Sequence, residues 1–211
     1  MNRAFMIGIA LNLLFVVVEA GAGFLTGSLA LLTDAGHNLS DVGSLGLSLL
    51  AFRLARQRAG KRLSYGYRKF TVLASLINAL MLLLVVGGIG YEAFQRLSMP
   101  PQVPGLTVAA VAAAGIVVNG LSAWLFHRDR EKDLNVKGAC LHLAADAAVS
   151  AGVVVAGLCM YWLGWRWLDP AISFLILGVV LWSTWGLLKE SALLTLDATP
   201  AAIEIDEIRE V

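Results

Sequence analysis

The 211-residue chain is 58% hydrophobic and only 15% charged, and its mean hydropathy is +0.76. These values exclude a soluble globular domain and point to an integral membrane protein. The formal net charge of +1 carries no signal by itself, but the distribution of the charges does.

Six segments are long and apolar enough to cross a bilayer, which takes about 20 residues each. They are expected near 5–26, 29–52, 70–95, 104–126, 137–161 and 168–189, so the predicted fold is all-α with six transmembrane helices. The first span follows no basic stretch beyond Arg3 and is too long for a signal-peptide core, so no cleavable leader is expected. Glu19 lies inside it, within Val16-Val-Val-Glu-Ala20, and is expected to face the bundle interior as a candidate for the ion path.

The second span carries Asp34 and then His37-Asn-Leu-Ser-Asp41. Residues four apart on a helix share a face, so this imidazole and carboxylate sit together. Asp34 extends the same stripe. It is either a supporting or access carboxylate beside the His-Asp pair or a cap for the outer half of the helix. In the third span Asn78, and in the fourth Asn119, are expected to be interhelical hydrogen-bonding groups. Glu92 is near enough to the end of its span to reach solvent. Between these spans Met99-Pro-Pro-Gln-Val-Pro104 makes a stiff loop. His127 and Glu131 form a further pair at a spacing of four, read as a solvated helix end, with weak metal capture as the sharper alternative.

The fifth span repeats the theme as His142-Leu-Ala-Ala-Asp146. Cys140 and Cys159 fall on the same helix about 28 Å apart and cannot pair with each other. Trp162, Trp165 and Trp167 follow as interfacial anchors. Gly21, Gly23, Gly27, Gly43, Gly46, Gly87, Gly88 and Gly90 are expected to allow close helix packing. The polar end contains Ile203-Glu-Ile-Asp-Glu-Ile-Arg209, which reads as the start of an amphipathic helix.

Lysine and arginine set the orientation. Arg53, Arg56, Arg58, Lys61, Arg62, Arg68 and Lys69 follow the second span, and Arg128, Arg130, Lys132 and Lys137 follow the fourth. The opposite side has only Arg96 and Arg166. The positive-inside rule then places both termini in the cytoplasm. The basic loops read as topology signals and lipid-headgroup contacts, and no nucleic-acid partner is expected.

Ionisable side chains at membrane depth are costly and mark function. The two His-x-x-x-Asp faces lie on antiparallel helices at matching places in two three-span halves, a layout that transporters with inverted repeats use. Two imidazoles and two carboxylates suit a four-coordinate Zn²⁺ site made of His37, Asp41, His142 and Asp146. Zn²⁺ would be the transported substrate, with Co²⁺ or Cd²⁺ as lesser ones and no organic cofactor. The carboxylates neutralise the ion, and the imidazoles, whose ordinary pKa is about 6.5, accept protons when it leaves. Competition of Zn²⁺ and H⁺ for one alternately exposed site amounts to antiport.

The stretch Gly27-Ser-Leu-Ala-Leu-Leu-Thr-Asp-Ala-Gly-His-Asn-Leu-Ser-Asp41 resembles a signature of the cation diffusion facilitator family, in its zinc-transporting branch. So do Tyr65-Gly-Tyr-Arg-Lys69, Tyr91-Glu-Ala-Phe-Gln-Arg-Leu97, Asn135-Val-Lys-Gly-Ala-Cys-Leu-His-Leu-Ala-Ala-Asp146 and Asp169-Pro170. The resemblance implies a six-helix transporter, usually a homodimer, that exchanges cytosolic Zn²⁺ for external H⁺. His37, Asp41, His142 and Asp146 match the family's transport ligands. A carboxylate in place of the first histidine goes with broader metal use. The lack of a histidine-rich insert after the fourth span implies a bacterial-type protein, hence the inner membrane of a bacterium. The family also implies a cytoplasmic metal-binding domain after the sixth span. Residues 1–192 are then the six-helix transport domain, and 193–211 a cytoplasmic tail at the start of a missing or truncated C-terminal domain.

Two other classes of function compete. An intramembrane metalloenzyme needs an open zinc position and a nearby base, and His-Glu-x-x-His is absent from the sequence; the chain is therefore not expected to be an enzyme. A membrane zinc sensor would bind the ion and move none.

Overall fold

The structure is a computed structural model that describes residues 3–55, 68–127 and 134–196. Six helices account for nearly all of them: α1 (Arg3–Thr26), α2 (Leu29–Ala55), α3 (Arg68–Ser98), α4 (Gly105–His127), α5 (Leu134–Leu163) and α6 (Leu168–Thr195). No strand occurs among the described residues. The observed helices match the six expected spans in number and order, and most of them run a few residues longer. At 31 residues, α3 is about 46 Å long, well beyond the ~30 Å hydrocarbon core.

Two connections are very short because glycine makes them. Gly27, between α1 and α2, has φ +70°, and Gly164, after α5, has φ +68°, a left-handed backbone that other residues adopt only at a cost. The α1 end is closed by Thr26, whose hydroxyl donates to the Ala22 carbonyl at 2.7 Å. Before α4, the Pro104 carbonyl accepts from the N–H groups of Thr107 at 3.0 Å and Val108 at 3.1 Å, opening the helix directly from the stiff loop.

The distribution of side chains is that of a bundle solvated by lipid. Leu14, Val17, Phe24, Leu84, Trp124 and Trp182 are exposed on the outer surface, while Glu19, Asp34, Asn119, Ser150 and Asp169 are buried. Apolar groups face out because acyl chains are their solvent, and polar groups face in because lipid offers them no partner. Among the described residues, four stretches are long and apolar enough to cross a membrane: Val72–Ser98, Gly105–Trp124, Cys140–Leu163 and Leu168–Thr195. A shorter apolar stretch in α1 covers Ala10–Thr26. The chain is thus an all-α membrane protein. α2 differs because the polar face with Thr33, Asp34, His37, Asn38, Ser40 and Asp41 lowers its apolarity.

Packing is uneven. α4 and α5 form the most extensive pair, followed by α3 and α6, whereas α2 and α5 barely touch. The α4–α5 crossing is close because Gly105 and Gly157 face each other. A Cβ built on Gly157 would lie 2.7 Å from the Gly105 carbonyl oxygen and 2.8 Å from the Ala109 nitrogen. Neither glycine was among those expected to mediate packing. Of those that were, Gly23, Gly43 and Gly90 lie against Leu32, Asn78 and Leu177, whereas Gly21, Gly46, Gly87 and Gly88 meet nothing within 4 Å among the described residues.

Cys140 and Cys159 are both free and both on α5, as the helix length requires. Trp162, Trp165 and Trp167 are exposed at the α5–α6 turn, and Trp165 stacks on Trp167 with ring centroids 6.1 Å apart. The expectations for the basic loop between α2 and α3, for Glu131 and for the stretch 203–209 lie outside the described residues.

Candidate metal centre

α2 and α5 meet through their ionisable residues. Within each helix the one-turn spacing brings imidazole and carboxylate together: His37 Nε2 is 3.6 Å from Asp41 Oδ2, and His142 Nε2 is 3.6 Å from Asp146 Oδ2. Between the helices the pairs cross. His37 Nε2 lies 3.7 Å from Asp146 Oδ1, and His142 Nε2 lies 3.0 Å from Asp41 Oδ2. Crossed pairing is what antiparallel helices produce, since the first residue on one then faces the last on the other. The two rings stand edge to face, 5.8 Å apart and inclined at 76°.

These distances have a chemical meaning. Four donors about 2.05 Å from a tetrahedral Zn²⁺ are separated from one another by about 3.3 Å; the nitrogen-to-oxygen distances of 3.0–3.7 Å lie around that value, with Asp146 presenting Oδ1 to His37 and Oδ2 to His142. His37, His142 and Asp146 each offer a ligand atom within 4.8 Å of the others; Asp41 stands outside that group of three but lies 3.0 Å from His142 Nε2 and 3.6 Å from His37 Nε2. Two carboxylates would balance the charge of a divalent cation, and two imidazoles favour the later first-row metals over Mg²⁺ or Ca²⁺.

The centre is lopsided. The His37 and Asp146 side chains are 11% and 6% exposed, whereas those of Asp41 and His142 are 33% and 46% exposed. It is closed at the end nearer the α1–α2 turn and open at the other.

Behind it lies a second polar layer. Glu19 Oε2 on α1 accepts from Asn38 Nδ2 at 3.3 Å, and Asp34 Oδ2 on α2 accepts from Ser150 Oγ on α5 at 3.4 Å. Asp34 therefore sits among interior polar groups beside the pairs and does not cap its helix. On the opposite flank of α2, Asn78 Nδ2 donates to Ser40 Oγ at 3.1 Å, the interhelical bond expected of it. Asn119 is different. It is fully buried on α4, and neither its amide nitrogen nor its oxygen finds a partner among the described residues, so the expected bond does not form. Glu92 holds Arg96 at 2.9 Å one turn on, and Arg96 Nη1 donates to the Gly27 carbonyl at 2.5 Å; the pair thus binds the α1–α2 turn as well as reaching solvent.

Sequence reading missed the role of Asp169. This buried residue at the start of α6 accepts from Ser28 Oγ at 2.5 Å, from the Leu29 N–H at 2.8 Å and from the Ala30 N–H at 3.3 Å. It caps α2 from another helix. The available signal was a single acid before a proline in an otherwise apolar span, which identifies an unusual residue without its partner.

The family model for the cation efflux transmembrane domain matches residues 5–194. A "Cadmium, cobalt and zinc/H(+)-K(+) antiporter" of Bacillus velezensis is 39% identical over 196 residues, which is 92% of this chain and 63% of that protein. The "Zinc transporter ZitB" of Escherichia coli is 41% identical over 196 residues, again 92% of this chain and 63% of the relative. The "Cation efflux system protein CzcD" of an Alcaligenes strain is 37% identical over 209 residues, 99% of this chain and 66% of that protein. The chain thus spans somewhat less than two thirds of the length of these curated relatives.

Proposed function

The chain belongs to the cation efflux family, and on that premise we propose that it exports Zn²⁺ from the cytosol in exchange for H⁺. The metal is carried at a tetrahedral site formed by His37, Asp41, His142 and Asp146. The observation that carries this reading is the set of nitrogen-to-oxygen distances within and between α2 and α5, each near the donor spacing of a four-coordinate zinc ion. The names of the relatives supply the substrate class, zinc in one case and cadmium, cobalt and zinc in another. Cd²⁺ and Co²⁺ are accordingly the alternative cargo.

The exposure of the site supports loading from the cytosol. Asp41 and His142 lie toward the ends of α2 and α5 that adjoin the basic loops, and these are the more exposed pair. With the basic loops and both termini in the cytoplasm, the open side faces the metal to be exported. Protons then compete for the same donors: an imidazole that holds Zn²⁺ cannot hold H⁺, so a proton gradient across alternating access drives metal out. Residues 1–192 make up the transport domain and 193–211 a cytoplasmic tail. The protein works as a homodimer in the inner membrane of a bacterium.

The test is zinc uptake into proteoliposomes under an imposed pH gradient, with Asp146→Ala alongside. Gradient-driven uptake that the substitution abolishes is the expected result. Binding without flux in the unsubstituted protein would instead indicate a zinc sensor, and flux indifferent to the gradient would rule out exchange.

A further inference from the structure

We propose that Arg96 is a latch that keeps the far end of the metal centre shut, through its bond to the Gly27 carbonyl, while Asp169 stays fixed as the anchor of α2. The proposal rests on the transport reading above and deepens it, by naming the contact that breaks before the metal leaves.

The α1–α2 turn is gripped by two opposite charges. Arg96 Nη1 on α3 donates to the Gly27 carbonyl at 2.5 Å. This is the end of α1, where unpaired carbonyls and the helix dipole favour a cation. The carboxylate of Asp169 on α6 accepts from Ser28 Oγ and from the Leu29 and Ala30 N–H groups. That is the start of α2, where the dipole favours an anion. α3 and α6 pack on each other and both pack on α2. Together they hold the two sides of one turn, each by the charge that helix end prefers.

The turn bears on the centre through what lies between them. On α2, Asp34 is one turn from His37 toward the α1–α2 turn, and on α5, Ser150 is one turn from Asp146 in the same direction. The Ser150 hydroxyl donates to Asp34 at 3.4 Å and bridges the two helices just beyond the ligands. This is the closed end of the centre, and Asp41 and His142 mark the open one. α2 and α5 touch only sparingly, so whatever holds the start of α2 decides whether this end stays shut.

The two grips are unequal. Asp169 is 1% exposed and takes three donors, so breaking its contacts strands those donors away from water. Arg96 sends one bond into the turn, and its side chain is 23% exposed. Its Nε also donates to Glu92 Oε1 at 2.9 Å, one turn back on α3. When the Gly27 bond breaks, the guanidinium stays paired and hydrated, and the half-buried Gly27 carbonyl takes water instead. Arg96 is therefore the contact that yields.

The test uses the full chain in intact bacterial cells, with Cys140→Ala and Cys159→Ala, and with Ser150→Cys as a reporter at the closed end. An impermeant methanethiosulfonate reagent added outside the cells reads how often that end opens. Arg96→Gln is expected to speed modification by about tenfold or more, the effect of losing one bond from a charged donor. Arg96→Lys, which keeps the charge and a donor for the Gly27 carbonyl, is expected to bring the rate back toward the parent's. Arg166→Gln removes a charge from an exposed position on the same side and is expected to change nothing. A rate in Arg96→Gln equal to the parent's, or a rise that Arg166→Gln matches, overturns the proposal. The unsubstituted protein gives an answer even if Arg96→Gln fails to fold. Phenylglyoxal modification of Arg96, located by mass spectrometry, is expected to be faster while zinc crosses proteoliposomes than at rest, with Arg166 unchanged. Equal rates at Arg96 overturn the proposal. Failure of the transport reading is distinguishable, because the unsubstituted protein would then show no metal flux, while the cysteine assay at rest still reads the latch.

Discussion

The carboxylate of Asp169 and the backbone N–H of Leu29 are 140 residues apart in sequence and 2.8 Å apart in space. With Ser28 and Ala30 also donating to it, Asp169 satisfies the free N–H groups at the start of α2, and so fixes one end of the helix that carries His37 and Asp41. A charge-assisted bond of this kind is worth about 1.5–3 kcal/mol, and removing it strands buried donors.

Asp169→Ala is therefore expected to lower stability by about 2–3 kcal/mol, read as a fall in Tm in detergent. Ser28→Ala, which leaves Asp169 its bonds from Leu29 and Ala30 but also removes the acceptor of the Leu31 N–H, is expected to cost about 1 kcal/mol. A variant as stable as the parent would show that α2 does not depend on α6 for its cap.

What the sequence reveals follows from how local each feature is. The His37–Asp41 and His142–Asp146 pairs are set by the rise and turn of a single helix, so spacing alone exposes them. Their crossed meeting needs only antiparallel spans. The cap from Asp169 to Leu29 depends on how α6 leans on α2, and no local pattern encodes that. The same applies to Gly105 and Gly157, whose backbones touch because two helices cross there, while Gly87 and Gly88, more conspicuous in the chain, face outward. Asn119 shows the converse limit. An amide in an apolar span predicts a hydrogen-bonding partner, yet the partner's existence is a property of the neighbouring helix.

Removing a metal donor should cost far more than removing a supporting group. Loss of a partner behind the ligands typically lowers metal affinity about 10–100-fold. His37→Ala and Asp146→Ala are each expected to exceed 100-fold by about that margin again, measured by calorimetric zinc titration. A tenfold effect or less at either position would rule out direct ligation there.

Zinc affinity should fall with acid. Only a neutral imidazole binds the metal, and the ordinary histidine pKa is about 6.5. At a pH where both rings are already neutral, affinity changes little. Below it each ring must release a proton, so affinity is expected to fall by up to about 100-fold per pH unit when both rings ligate. Replacing one histidine should halve the slope in logarithmic terms. Measured constants from pH 5.5 to pH 8 test this, and a flat profile would exclude the imidazoles as ligands.

His37→Asp exchanges an imidazole for a carboxylate without opening a large gap. Carboxylate oxygen suits harder cations, whereas imidazole suits Zn²⁺ and its neighbours. The expected outcome is a rise in Mn²⁺ uptake relative to Zn²⁺ in competition assays with proteoliposomes. An unchanged ratio would mean that selectivity is set elsewhere.

The last expectation concerns how α5 is held. It touches α2 only sparingly, so the position of His142 and Asp146 depends on the seating of α5 against α4. That seating is tight at Gly157, where an added Cβ would meet the Gly105 carbonyl oxygen at 2.7 Å and the Ala109 nitrogen at 2.8 Å. Those are backbone atoms, and no rotamer change relieves the clash, so the helices must part. Gly157→Ala is thus expected to cost about 1–3 kcal/mol and to weaken zinc binding, although the residue is about three turns from Asp146. Gly178→Ala on α6, with nothing within 4 Å of the built Cβ, is the control and should leave both Tm and affinity unchanged. If the two substitutions behave alike, the α4–α5 crossing is not what holds the metal centre in register.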